Sequence, residues 1–147
     1  MKKFLFTIIT TALISLSSFA NEAAEVNQKV ISTFHKEFAQ AKNVEWQQSN
    51  GLNKATFSLN GKVLFAFYTN AGELIAVSRN LTSDQLPIVL TSELKNDFEG
   101  FWISDLFELS SNGQTSYYVT LENANQKLVL ESIGLQGWQT FKKEKKN

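Results

Sequence analysis

Apolar and polar residues alternate along the stretch from Asn53 to Gly72, which reads NKATFSLNGKVLFAFYTNAG. Such alternation predicts strands with one buried face, and Asn60-Gly61 between two alternating runs predicts a two-residue turn, because both residues tolerate positive φ angles. A turn of this length sets the register of the hairpin. The residues that it places opposite each other are Leu59 and Lys62, Phe57 and Leu64, and Ala55 and Ala66.

The second face of this hairpin is unusually apolar. It carries Val63, Phe65 and Phe67 beside Thr56 and Ser58. The wet face of an antiparallel sheet is normally polar, and contiguous apolar side chains on such a face indicate a contact surface. Two interpretations stay open: these side chains form a second core layer, or they form a surface to which a partner binds.

Two segments carry apolar residues at every fourth position, the spacing of a helix with one buried face. The first helix is predicted from Glu22 to Ala41. The second is predicted from Pro87 to Glu99, where the only proline of the chain suits a first helical turn. The two apolar sets lie sixty positions apart: Val26, Val30, Phe34 and Phe38, then Leu86, Leu90, Leu94 and Phe98.

Each predicted helix is followed by four strand-like segments. Matching positions in the second set lie sixty-two residues later, which we attribute to an insertion in a loop such as Ser111 to Gly113. The pattern predicts an α+β protein, a tandem repeat of a helix plus a four-stranded antiparallel sheet, with repeats at about 22–81 and 82–143. The predicted strands are 43–47, 53–59, 62–69 and 73–78, then 102–109, 116–121, 127–133 and 138–142.

The two predicted sheets could lie side by side or pack face to face. A side-by-side arrangement would leave one continuous open face and expose Val63, Phe65 and Phe67 together with Tyr118 and Val129. The charged tail from residue 142 to residue 147 is predicted to be a frayed, solvated end.

The first twenty residues have the pattern of a secretory signal peptide. Lys2 and Lys3 precede an apolar run, and small residues stand before a predicted cleavage site after Ala20. No later segment is apolar for long enough to cross a bilayer, so we expect no stable membrane span after cleavage. The prediction is a single domain over residues 21–147, located in the periplasm or secreted.

Composition excludes several classes of chemistry. The chain has no cysteine, which excludes disulfides, thiolate catalysis and a lipid attached to cysteine. Loss of Lys2 and Lys3 with the signal peptide would leave 12 basic and 14 acidic side chains. Because binding to nucleic acid requires a basic surface, we expect no nucleic-acid partner.

Several motifs together resemble one known family. They are Phe38 to Trp46 (FAQAKNVEW), Ala55-Thr56-Phe57, Asn60-Gly61, Gly72-Glu73-Leu74 and Leu86-Pro87. In this order they resemble the secreted PepSY-like proteins, which are related in fold to β-lactamase inhibitor protein (BLIP). The second half departs from the pattern, because no Val-x-Trp follows Phe98. The resemblance implies a tandem layout with a sheet face available to partners, and it carries over neither catalytic residues nor an inhibitory target.

No constellation in the sequence indicates a reaction. His35 is the only histidine and lies at the margin of the first apolar stripe, where a half-exposed surface position is the simpler interpretation. The acidic residues are dispersed: Asp97 and Glu99 flank Phe98 and point apart on a helix, while Asp105 and Glu108 lie on a predicted strand. We therefore predict that the protein is not an enzyme, and that it uses no metal and no cofactor.

The leading hypothesis is an exported, non-enzymatic module that binds a protein or peptide of the cell envelope. Inhibition of the partner is one role that such binding could have. Binding would use an open antiparallel sheet face, since aromatic anchors at the centre of a contact carry most of the affinity. The candidate contacts are Phe65, Phe67, Tyr118 and Trp138. The alternative is a carrier of small molecules or lipids with an apolar cavity between two sheets.

Overall fold

The computed structural model describes residues 25–146, and the predicted signal peptide lies outside this range. Two α-helices and eight strands follow one another along the chain. The helices are α1 (Gln28–Glu37) and α2 (Ile88–Asp97). The strands are β1 (Lys42–Ser49), β2 (Leu52–Leu59), β3 (Lys62–Thr69), β4 (Leu74–Asn80), β5 (Trp102–Ser111), β6 (Gln114–Glu122), β7 (Gln126–Ile133) and β8 (Gln139–Lys145).

All eight strands form one antiparallel sheet, and their order in the sheet is their order in the chain. Strands β4 and β5 pair from Val77 opposite Ser110 to Asn80 opposite Phe107, which joins the two halves edge to edge. The α+β class is therefore confirmed, and the side-by-side arrangement is the one observed. The order of one helix followed by four strands occurs twice, whereas the origin of the halves as a tandem repeat stays a prediction.

The hairpin register predicted from Asn60-Gly61 is confirmed. Leu59 lies opposite Lys62, and the pairing continues through Phe57 with Leu64 and Ala55 with Ala66. Asn60 and Gly61 have φ angles of 50° and 76°, the left-handed values that this turn requires. The local residue types thus determine the geometry of the turn and, through it, the face on which each side chain lies.

Helix α1 is shorter than predicted at both ends. It begins at Gln28 because the Asn27 side chain accepts a hydrogen bond from the Lys29 amide at 2.9 Å, which caps the helix. It ends at Glu37, where Phe38 leaves the helical conformation with φ at −125°. Helix α2 begins one residue after Pro87, which lies at the cap position instead of the first turn.

Both helices pack on the same side of the sheet, which we call the helix face. Val30 and Phe34 of α1 pack with Ala55, Phe57 and Ala66 in a largely aromatic core. The core under α2 is aliphatic. Its buried residues include Leu90 and Leu94 of the helix, and Leu106, Val119, Leu121, Leu128 and Leu130 of the sheet.

The extra length in the second half lies in a strand and not in a loop. Strand β5 has ten residues and β1 has eight. Ser111 pairs with Gln114 across a two-residue turn, just as Ser49 pairs with Leu52. The predicted insertion at the turn after Ser111 is therefore wrong, because both turns have the same length.

The predicted frayed tail is wrong for most of its length. Strand β8 continues to Lys145 and pairs with β7 from Gln126 opposite Lys145 to Glu131 opposite Gln139. Most of its side chains are exposed, and several are lysines. Lysines on an edge strand disfavour pairing with another chain, so this edge is protected against aggregation.

Candidate functional site

The side of the sheet opposite the helices, which we call the open face, carries its own apolar cluster. Phe65 and Phe67 of β3 point to this side, because Leu64 and Ala66 point to the helix face. The buried members of this open-face cluster are Phe67, Ala76, Phe107, Leu109 and Tyr118, with Phe65, Ile75 and Phe141 half-buried around them.

The side chains of this cluster cover one another. The rings of Phe107 and Tyr118 stack with centroids 5.0 Å apart, and the edge of Phe141 meets Tyr118 at 5.9 Å. As a result Phe67 is 1% exposed and Tyr118 is 0% exposed, although neither helix lies on this side. The expectation that a side-by-side arrangement exposes Phe67, Tyr118 and Val129 is wrong, because Phe67 and Tyr118 pack with side chains of neighbouring strands and Val129 is only 3% exposed.

Tyr118 carries the polar group at the centre of the cluster. Its hydroxyl donates a hydrogen bond to the carboxylate of Glu131 on the adjacent strand. The buried phenol therefore has a charged acceptor, as a buried hydroxyl requires. This bond fixes the ring beneath Phe141 and Phe107, so Tyr118 supports the open face and does not itself reach solvent.

Phe65 is the predicted contact residue that keeps partial exposure at the edge of the cluster. The ammonium group of Lys54 lies 4.8 Å from the centroid of its ring, a cation–π contact. Burial lowers the pKa of Lys54, whose stem is packed opposite Phe67. One face of the Phe65 ring thus contacts the ammonium group of Lys54, and this contact orders the ring in the free protein.

Trp138 lies apart from the other three candidates, on the helix face. Its indole Nε1 donates to the carbonyl of Leu90 at 3.0 Å, and its backbone amide donates to Glu93 Oε2 at 3.2 Å. These bonds attach the segment before β8 to α2. The structure therefore brings together Phe65, Phe67 and Tyr118 and places Trp138 in a helix-packing role.

Two exposed apolar residues of the open face were missing from the predicted set. Val63 is 54% exposed and Trp102 is 52% exposed. Strand β5 shifts its register between Ile103 and Asp105, and this bulge places Trp102 on the side opposite Ile103 and Leu106. Simple alternation from Leu106 would assign Trp102 to the helix face. The exposure of Val63 follows from its position at the start of β3, and the alternating pattern already assigned it to this face.

The acidic and imidazole groups considered for catalysis do not converge. His35 is exposed and touches Phe34 edge-on, with ring centroids 5.7 Å apart. Glu108 pairs with Arg79 on the helix face, whereas Asp105, three positions away, points to the opposite side. Among residues 25–146, no group of three or more His, Asp or Glu side chains could hold a metal ion.

The carrier hypothesis required an apolar cavity between two sheets. Residues 25–146 form one sheet, so this arrangement is wrong for the described part of the chain. A cleft of about 590 Å³ lies at the β1–β2 end, where Lys42, Asn43 and Asn60 are among its lining residues. This cleft lies at one end of the single sheet, so it is not a cavity between two sheets.

Comparison with solved structures supports the fold. A DUF2874 family protein of Bacteroides ovatus has a TM-score of 0.72 at 18% identity, over 83% of this chain and 89% of that chain. A proposed periplasmic protein of Bacteroides eggerthii gives 0.71 at 13% identity, over 83% and 90%. A BLIP-like protein of Bacteroides fragilis gives 0.69 at 15% identity, over 83% and 87%. The chain therefore shares its fold with a BLIP-like protein.

Neither the protein-family models nor the curated proteins gave a match to this chain. The PepSY-like part of the resemblance accordingly stays a prediction, whereas the BLIP-like fold is supported. Within residues 25–146, neither helix has the length and hydropathy that a membrane span requires.

Proposed function

We propose that this protein is an exported, non-enzymatic binding module that recognises a protein or peptide through the open face of its sheet. The observation that carries this proposal is the placement of both helices on one face, while the other face holds a packed apolar cluster and the exposed side chains of Val63 and Trp102. An inhibitor-like role is one form of such recognition, in line with the BLIP-like neighbour.

The open face has the properties of a contact surface. Val63 and Trp102 are more than half exposed, and Phe65 lies half-buried between solvent and the packed interior. Phe65 packs against the cluster, and the ammonium group of Lys146 lies 4.9 Å from the centroid of the Trp102 ring, so little side-chain freedom would be lost when a partner binds. Fixed aromatic anchors of this kind give affinity because the entropy cost of ordering them is already met in the free protein.

Export and internal repetition complete the proposal. The basic and apolar pattern of residues 1–20 favours a signal peptide, and one structural neighbour is a proposed periplasmic protein. The two halves share the order of one helix and four strands, which favours a tandem origin. A repeated unit joined edge to edge would produce a sheet twice as wide as either half could form alone.

Site-specific cross-linking in the native envelope tests this proposal. A photoreactive amino acid at position 63 or 102 should form an adduct with one defined partner, because both side chains are exposed on the open face. The matched control is position 88, where Ile88 is 77% exposed on α2, on the helix side. Adducts from position 88 equal to those from positions 63 and 102, or no adduct from either of the latter, would contradict the proposal.

A further inference from the structure

Strands β3 and β4 separate before their ends. The last residues that pair between them are Phe65 and Ser78, so residues 62–64 of β3 do not pair with Arg79 and Asn80 of β4. The corresponding strands of the second half, β7 and β8, stay paired as far as Gln126 opposite Lys145. The first half therefore contains a split in the sheet that the second half does not have.

A cleft of about 190 Å³ lies at this split. It is lined by Lys62, Val63, Phe65, Arg79, Asn80 and Gln85. Val63 and Phe65 belong to the open face, whereas Lys62 lies opposite Leu59 and belongs to the helix face. Side chains from both faces line one cleft because the two strands are not joined there.

The polar lining of the cleft suits an anion. Lys62 and Arg79 bring two positive charges, of which the Arg79 charge is paired with Glu108. The side-chain Oε1 of Gln85 accepts a hydrogen bond from the backbone amide of Thr82 at 3.0 Å. The other polar group of this side chain, the Nε2 amide, is a hydrogen-bond donor. A cation with a neighbouring amide donor binds a carboxylate through charge-assisted hydrogen bonds.

The apolar lining suits a side chain next to that anion. Phe65 belongs to both the cleft and the rim of the open-face cluster, and Val63 is exposed beside it. The volume is below the range of about 300–1,000 Å³ that holds whole cofactors and drug-sized ligands. The cleft therefore fits an end group, and the unpaired edge of β3 offers backbone groups to an extended chain.

We propose that this cleft binds the C-terminal carboxylate of an extended peptide, with the last side chain of that peptide against Phe65 and Val63. The inference rests on the proposed function and specifies the chemistry of the partner. The carboxylate lies near Lys62 and the amide of Gln85, and the peptide backbone runs along the free edge of β3. The rest of the partner then continues over the open face.

A titration with short peptides tests the cleft directly. The probe is acetyl-Ala-Val-Leu with a free carboxylate, and amide chemical shifts of Val63 and Asn80 are followed in the isotope-labelled protein. We expect saturable shifts, with binding weakened about tenfold when the carboxylate is replaced by a carboxamide. Lys62→Gln should weaken binding of the carboxylate peptide to a similar extent. Lys143→Gln, an exposed-lysine control on β8, should leave it unchanged.

Three results would overturn the inference. They are equal binding of the carboxamide, equal binding of acetyl-Ala-Asp-Ala-amide, which presents a side-chain carboxylate, and equal shifts with inorganic phosphate alone. If the peptide titration fails while cross-links from position 102 persist, peptide binding at the cleft is refuted and the proposed open-face function stands. Peptide binding without any open-face cross-link would instead remove the open-face function.

Discussion

The two faces of this sheet bury aromatic side chains in different ways. On the helix face, Phe34 of α1 is covered by rings from other elements: Trp46 at 5.3 Å and Phe57 at 5.0 Å between centroids. On the open face, Tyr118 is covered by Phe107 and Phe141, which belong to the same sheet. Complete burial of a side chain therefore does not by itself identify a core between two layers.

The difference has an energetic consequence. Removing a side chain between helix and sheet leaves a closed cavity, whereas removing one on the open face leaves a groove that water can enter. On the helix face, the loss of unfolding free energy contains the transfer free energy of the side chain and the cost of the cavity. On the open face, it contains mainly the transfer free energy. The helix face thus stabilises the fold more per residue, and the open face can tolerate a change in what covers it.

The largest effect is expected for Phe34→Ala on the helix face. Phe34 is 0% exposed and contacts rings of α1 and the sheet, so its loss should lower the free energy of unfolding by about 3–5 kcal/mol. Urea unfolding followed by circular dichroism measures this change. A loss under about 1 kcal/mol would show that α1 contributes little to the helix-face core.

A smaller effect is expected for Phe107→Ala on the open face. Its ring stacks on Tyr118, but solvent can fill the space that it leaves, so we expect a loss of about 1.5–3 kcal/mol. The same urea titration gives the comparison with Phe34→Ala. Equal losses for the two variants would remove the distinction between the faces, and a larger loss for Phe107→Ala would reverse it.

Two glycine turns give a third comparison: the turn at Gly72 lies against α1, whereas the turn at Gly61 has no neighbour within 4 Å of a Cβ. A Cβ at Gly72 would lie 3.1 Å from the Lys29 carbonyl oxygen, whereas a Cβ at Gly61 meets nothing within 4 Å. Both have positive φ, so each alanine costs about 1–2 kcal/mol of backbone strain. We expect Gly72→Ala to cost about 1 kcal/mol more than Gly61→Ala in thermal unfolding. Equal costs would mean that the turn can move away from α1 freely.

The smallest effect concerns alkaline pH. Burial, and then the charge of Glu37 and the hydrogen bond to it, raises the pKa of Tyr68 above its ordinary value of 10.0. Above that value the unfolded chain loses this proton while the folded protein keeps it, so wild-type stability falls as pH rises. The Tyr68→Phe variant has no phenol to titrate, so its stability does not fall for this reason. The difference in free energy of unfolding between wild type and variant should therefore narrow above pH 10, and a constant difference would contradict the assignment.

The parts of the fold that local residue types determine were predictable. Asn60-Gly61 requires a left-handed turn, and that turn fixes the pairing of Leu59 with Lys62 and all later pairs. The apolar spacing of Phe34 and Leu94 also identified buried helix faces. These features depend on neighbours in sequence, so the sequence alone contained the required information.

The features that depend on distant strands were not predictable. The burial of Tyr118 comes from Phe107 on β5 and Phe141 on β8, and Phe141 reaches it at a register shift between β7 and β8. A second shift in β5 turns Trp102 to the open face. A bulge is an adjustment between paired strands, and alternation along one strand gives no sign of it.

The measurement that tests the open-face account most directly is the affinity of the cross-linked partner for a Val63→Asp variant. Val63 is the preferred position because Phe67 is buried, so that replacing Phe67 would mix loss of binding with loss of stability. We predict at least about tenfold weaker binding with an unchanged melting temperature, since a charge would be desolvated in the contact. Ile88→Asp on α2 should change neither quantity. Unchanged affinity of Val63→Asp, beside reduced affinity of Ile88→Asp, would contradict the account.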